Sequence, residues 1–108
     1  MGKFVIKPAK NGEFIFNLKA DNGQTILTSE TYTTKAACQK GIESVQKHSA
    51  DDKRYDRMTT SSGKYRFNLK ASNGQIIGTS EHYEAESGRE NGINSVKKNG
   101  STNIIVEE

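Results

Sequence analysis

Four kinds of side chain in this 108-residue chain could do chemistry: two histidines, one cysteine, a matched pair of glutamates and a set of repeated polar residues. Catalysis by nucleophile and base needs a Ser, Thr or Cys beside a His or an equivalent base. His48 and His82 have no counterparts of their own kind elsewhere in the chain, and neither stands at ligand spacing from the other or from Cys38. His48 falls where a helix would end, which favours a structural part against the helix dipole. A lone cysteine can build neither an internal disulfide nor a cysteine-based metal cluster. Glu30 and Glu81 each follow a serine, Ser29 and Ser80. Two such carboxylates are what general acid–base work would use. The same residues suit strand ends, with cross-strand pairing to a residue such as Arg66, and that reading is favoured. Every glycine is isolated, so no phosphate-cradling loop is present. No catalytic, cofactor-binding or metal-ligating residue is expected.

What chemistry does not absorb is a surface. Asn17, Lys19, Arg66, Asn68 and Lys70 occupy the polar alternation of two strand-like segments. Together with Glu30 and Glu81 they form the candidate interaction surface. Such a face could take an anionic or extended partner, nucleic acid included, although an ordinary solvated face, with Lys19 and Lys70 serving solubility, is the favoured reading of these residues. The aromatic residues sit on the opposite alternation, so no base-stacking platform is expected. The leading reading is therefore a small non-enzymatic binding module of unknown partner, with weak nucleic-acid binding as the alternative. Charge agrees only in part. Net charge is +3 with a pI near 9.0. Residues 1–50 hold seven lysines against four carboxylates, whereas residues 51–108 balance nine against nine.

These residues recur because the chain is an internal duplication. Gly12-Glu13-Phe14-Ile15-Phe16-Asn17-Leu18-Lys19-Ala20 returns 51 positions later as Gly63-Lys64-Tyr65-Arg66-Phe67-Asn68-Leu69-Lys70-Ala71. At the same offset Asn22-Gly23-Gln24 matches Asn73-Gly74-Gln75, Thr28-Ser29-Glu30 matches Thr79-Ser80-Glu81, and Gly41-Ile42 matches Gly92-Ile93. The copies span about 1–51 and 52–108 of one domain, residues 1–108. In each copy an apolar alternation of period two predicts a half-buried strand. The Asn-Gly pair after it predicts a tight hairpin turn. A two-residue turn would set Leu27 opposite Leu18; a three-residue turn with a glycine bulge would set Ile26 there. The second is favoured, because only Ile26 and Ile77 are bulky and apolar in both copies.

Helices are predicted at about 34–48 and 85–99. Cys38, Gly41, Ile42 and Val45 mark the inward face of the first, and Arg89, Gly92, Ile93 and Val96 that of the second. Ala37 with Gly41, and Gly88 with Gly92, make a small-residue face whose propensity cost points to close approach of helix and sheet. Arg89, standing where Cys38 stands in copy one, is expected at the core's edge with its head in water. Adding Phe4-Val5-Ile6, residues 53–58 and a last strand over 103–107 gives the order β-β-β-α-β-β-β-α-β. This is an α+β arrangement: a single, mostly antiparallel sheet, pseudo-twofold, with both helices on one face.

The twice-present Phe-Asn-Leu-Lys-Ala-x-Asn-Gly-Gln stretch, the Thr-Ser-Glu-x-Tyr segments and the helical Gly-Ile-x-Ser-Val together resemble the YegP-like family of small bacterial proteins. The resemblance covers nearly the whole chain. It implies two β-β-β-α-β motifs in one sheet with exchange of their terminal strands, and it brings no catalytic residues. Because each copy supplies the other's mate, a monomer is expected. The longest apolar runs, Phe4-Val5-Ile6 and Ile104-Ile105-Val106, are far short of a membrane span. With a single cysteine and no signal-like apolar segment at the start, a cytoplasmic protein without cofactors is expected.

Overall fold

A computed structural model describes residues 2–108. Strands β1 (Lys3–Pro8), β2 (Phe14–Lys19) and β3 (Thr25–Ser29) precede helix α1 (Lys35–His48). Strands β4 (Tyr55–Thr59), β5 (Tyr65–Lys70) and β6 (Ile76–Thr79) precede α2 (Glu86–Asn99), and β7 (Ile105–Glu107) closes the chain. The seven strands form one sheet in the order β4-β5-β6-β3-β2-β1-β7. Each copy is a three-stranded meander, and the two meet antiparallel at the β3–β6 seam, where Thr28 faces Thr79. Only β1 and β7 pair in parallel. The last strand of copy two therefore lies on the first strand of copy one, which is one half of the exchange the resemblance implied; among the described residues no strand of copy one takes the matching place outside β4. Within residues 53–58 there is a single strand: a 3-10 turn over Asp52–Arg54 leads into β4.

Both helices cover the same face of the sheet, and one apolar cluster lies between them and it. Phe16, Leu18, Phe67 and Leu69 meet Ile42, Val45, Ile93 and Val96 there with essentially no exposure. The duplication extends to ring geometry. Phe4 meets Phe16 edge-on at 5.7 Å, and the equivalent pair Tyr55 and Phe67 does so at 5.6 Å. A core of limited apolar content thus closes by repeating the same compact contact on each side of the seam.

The hairpin register differs from the expected one. The turn is the three-residue kind: Gly23 (φ +84°) donates its N–H to Ala20 O, and Ala20 N–H reaches Gln24 O. A second irregularity then follows between Leu18 and Lys19, so that Leu27, not Ile26, faces Leu18, and Gly78 faces Leu69. The extra residue lets Ile26 and Leu27 both enter the core. Leu27 in turn fills the space beside Gly78. A Cβ on Gly78 would lie 2.9 Å from Leu27 Cγ and 3.0 Å from Thr28 O.

The small residues of the helices do accept a close approach, but from tyrosine rings. A Cβ on Gly41 would sit 2.7 Å from Tyr32 Cζ, and one on Gly92 would sit 2.7 Å from Tyr83 Cζ. Arg89 also departs from expectation. Its side chain is 8% exposed, and its head is held by protein groups instead of water. The guanidinium donates to Glu86, Glu90 and Met58 O and lies 5.4 Å from the Tyr65 ring centre. Burial of an arginine is tolerated where each donor finds an acceptor.

Candidate interaction surface

Strand pairing lines up one residue from every strand on the helix-free face: Asp56, Asn68, Thr79, Thr28, Asn17, Val5 and Val106. At its centre Asn17 Nδ2 donates to Thr28 Oγ1 at 2.9 Å, while Thr79 Oγ1 donates to Asn68 Oδ1 at 3.0 Å. The two asparagines, expected on the wet side, are only 5% exposed. Neighbouring side chains cover them, and their amides are engaged within the sheet. They brace the seam instead of presenting free groups to a partner.

Glu30 and Glu81 are exposed, and no ion pair with Arg66 or any other basic group engages them among the described residues. The reason the Thr-Ser-Glu segment repeats lies in its serine. Ser29 Oγ accepts the Phe16 N–H at 2.8 Å and donates to Glu30 O at 2.7 Å. Ser80 does the same for Phe67 N–H and Glu81 O at 2.9 and 2.7 Å. A hydroxyl thus completes the strand ladder where backbone pairing fails. Ser29→Ala and Ser80→Ala each strand a buried N–H and are expected to cost about 1–3 kcal/mol. Urea unfolding checks this; losses well under 1 kcal/mol would show that the amide finds another acceptor.

His48 is used structurally as well. Its Nδ1 lies 2.9 Å from Ser44 O, and Nε2 accepts the Ser72 N–H at 3.3 Å, tying the end of α1 to the β5–β6 turn. His82 is exposed. Cys38 is fully buried, and that burial pushes its thiol pKa up, away from the reactive thiolate. Burial likewise raises the Tyr55 phenol, whose hydroxyl donates to Ser49 O at 2.6 Å. The Arg57 guanidinium holds Glu90 below the usual carboxylate range. These groups are spread over the molecule. Among the described residues no three or more His, Cys, Asp or Glu converge on a point that could hold a metal ion.

One concentration of charge stands out, on the half of the open face built by copy one. Lys3 lies directly opposite Lys19, and Lys7 opposite Ile15, so strand alternation sets three lysines on that half. No ion pair engages Lys3, Lys7 or Lys19 among the described residues. In copy two, Lys70 has Asp56 at 3.4 Å, at the position where copy one has Val5. Lys3 and Lys7 escape sequence reading because Phe4-Val5-Ile6 looks like a continuous apolar run. Phe4 and Ile6 join the main core, whereas Val5, equally buried, does not belong to that cluster and lies on the other face between the lysines.

Fold and surface together define the class: a duplicated β-β-β-α-β sheet protein with a polar, partly basic open face. The family model for the domain of unknown function DUF1508 matches it twice, over residues 9–56 and 61–107. The chain belongs to the DUF1508 family. It is 54% identical to the UPF0339 protein ACIAD0721 of Acinetobacter baylyi, over 98% of this chain and 96% of that one. It is 49% identical, with the same coverage, to the UPF0339 protein YegP of Escherichia coli K12. Among solved structures it matches the solution NMR structure of yegP from E. coli, described as a protein of unknown function. There the TM-score is 0.94 at 48% identity, covering 99% of this chain and 92% of that one. The solution NMR structure of the UPF0339 protein SO3888 from Shewanella oneidensis matches with a TM-score of 0.93 at 47% identity, covering 98% and 90%. These relatives are uncharacterised, and the family has no assigned activity. No helix among the described residues is long and apolar enough to cross a membrane.

Proposed function

We propose that the chain is a non-enzymatic interaction module that binds an anionic partner on the copy-one half of its open sheet face. The observation that carries this is the direct opposition of Lys3 and Lys19, with Lys7 on the same strand and none of the three in an ion pair among the described residues. Like charges directly opposite in a sheet are destabilising. A partner that supplies the missing anions relieves that repulsion. Lys19 belongs to the expected surface, and Arg66 and Lys70 extend it across the seam. Asn17 and Asn68 support it from beneath, and Glu30 and Glu81 bound it.

Nucleic acid is the second reading. The aromatic side chains pack on the helix side, so contact would run through phosphates without base stacking, giving weak binding with little sequence preference. The module acts as one domain and as a monomer, because the second copy occupies the place a partner subunit would take. The single, buried cysteine is in keeping with a reducing, cytoplasmic setting.

Fluorescence anisotropy with a labelled twelve-nucleotide single strand and with heparin tests the assignment. Weak binding at low salt is expected to fall steeply as salt rises. For the nucleic acid, the doubly substituted Lys3→Gln/Lys19→Gln protein should lower the salt slope by about 1.4, and Lys70→Gln by much less. Absence of binding to either polyanion at low salt, or equal effects of all three lysines, would overturn it. Heparin binding without oligonucleotide binding would remove the second reading alone.

A further inference from the structure

The repeat does not divide the chain into two complete sets of strands. Moved back by 51 positions, Ile105–Glu107 falls on residues 54–56; moved forward by 51, Lys3–Val5 falls on the same three residues. One segment thus corresponds to both the last strand of copy one and the first strand of copy two. It cannot be in both places. As β4 it takes the second position, pairing with β5 as β1 pairs with β2. The sheet is left asymmetric at its edges: β7 pairs with the outer side of β1, and no strand among the described residues pairs with the equivalent side of β4.

Hydrogen bonding fixes which groups are bare. On β1, Phe4 N–H donates to Ile104 O and Ile6 O accepts from Glu108 N–H, both at 2.9 Å, so Phe4 and Ile6 face β7. Their equivalents on β4 are Tyr55 and Arg57. The inner side agrees, because Phe67, which lies opposite Arg57, turns its own N–H and C=O toward Ser80 on the β6 side. Tyr55 N–H is folded back onto Asp52 O. The C=O of Tyr55 and both backbone groups of Arg57 then point outward with no partner among the described residues. Alternation places Thr59 N–H on the same edge.

Charge tells what could sit there. At the occupied edge Glu107 lies opposite Ile6, and its carboxylate accepts from Lys35, the first residue of α1, at 2.6 Å. The equivalent of Lys35 is Glu86, the first residue of α2, which accepts from Arg89 at 3.2 Å and is otherwise largely exposed, so its carboxylate can take a second donor. The equivalents of Val5 and Ile6 are Asp56 and Arg57, and Arg57 is already held by Glu90 and Asp52. A strand like β7 would bring its carboxylate against Glu86. A strand with lysine or arginine at that position would pair with it.

We propose that the outer edge of β4 is a docking site for an extended, basic peptide segment of a partner protein, which joins the sheet as an eighth strand parallel to β4. An aliphatic residue lies opposite Tyr55, as Ile105 lies opposite Phe4, and a basic residue two positions later meets Glu86. Backbone hydrogen bonds supply the attachment and the charged position supplies the selectivity. The inversion from Lys35 to Glu86 also keeps β7 of a second copy away from this edge.

Two synthetic peptides and the isotopically labelled full chain test this by NMR. One peptide has the sequence of residues 101–108, and the other carries Glu107→Lys in it. The Glu107→Lys peptide is expected to shift the Arg57 and Thr59 amides and to slow exchange at Arg57. It should bind about two- to fivefold tighter than the unaltered peptide, the range of an exposed ion pair. Glu86→Gln in the protein, which keeps an acceptor for Arg89 and removes the charge, should abolish that difference. Unmoved Arg57 and Thr59 amides with both peptides would overturn the site. Equal binding of the two peptides at β4 would overturn the basic partner in favour of a second copy's β7. Shifts confined to other acidic surfaces would overturn both.

Discussion

Gly41→Ala is expected to destabilise the protein by about 1–3 kcal/mol, the range of an overpacked core. The sign is informative because helix propensity alone predicts the reverse, a gain of about 1 kcal/mol for alanine over glycine. The added Cβ would fall within van der Waals contact of Tyr32 Oη, 2.7 Å from Cζ and 3.0 Å from Phe16 Cε2. Tyr32 is poorly placed to withdraw. Its ring is stacked on Phe16 at 6.3 Å and 12°, and its backbone exchanges two hydrogen bonds of 2.8 Å with Phe14. Tyr32→Phe removes the nearest atom and should return part of the loss in the double variant, a coupling a mutant cycle in urea would register. Stabilisation by Gly41→Ala would mean that the ring moves freely and that the glycine is not there for the tyrosine.

Leu27→Ala should cost more, about 2–5 kcal/mol for a fully buried leucine at the centre of a sheet. For a chain of this size that corresponds to a fall in Tm of at least about 10 °C. Gly78→Ala overpacks the same spot from the other copy, against Leu27 Cγ and Thr28 O. The two together should destabilise by less than the sum of the single losses, since Leu27→Ala vacates the space the new methyl needs. Additive losses in calorimetry would show that the seam is not the shared contact described above.

The repeat made most of the architecture legible. A period-two pattern, an Asn-Gly turn and a 3.6-residue face, each present twice at one offset, leave little freedom in element order or helix position. Register was not legible, because a bulge at Ile26 has no signature of its own; Leu27 and Gly78 look unrelated until the seam brings them together. The burial of Asn17 and Asn68 was hidden for a similar reason. Alternation tells which face a side chain takes, not whether Thr28, Thr79 and neighbouring long side chains close over it. Arg89 read as an edge residue because its acceptors, Glu86, Glu90 and Met58 O, converge only in three dimensions. Of the candidate surface, Lys19, Arg66 and Lys70 were found from their alternation. Lys3 and Lys7 were masked by Val5, whose burial on the open face mimics a continuous core strand.

The basic half of the open face is tested most directly by an amide and lysine-ammonium shift map of the labelled protein with a twelve-nucleotide single strand or heparin, at low and then high salt. The expected result is a set of shifts centred on Lys3, Lys7 and Lys19, weaker at Arg66 and Lys70, that disappears at high salt. Shifts centred on the helix face or on Glu30 and Glu81, or no shifts with either polyanion, would contradict it.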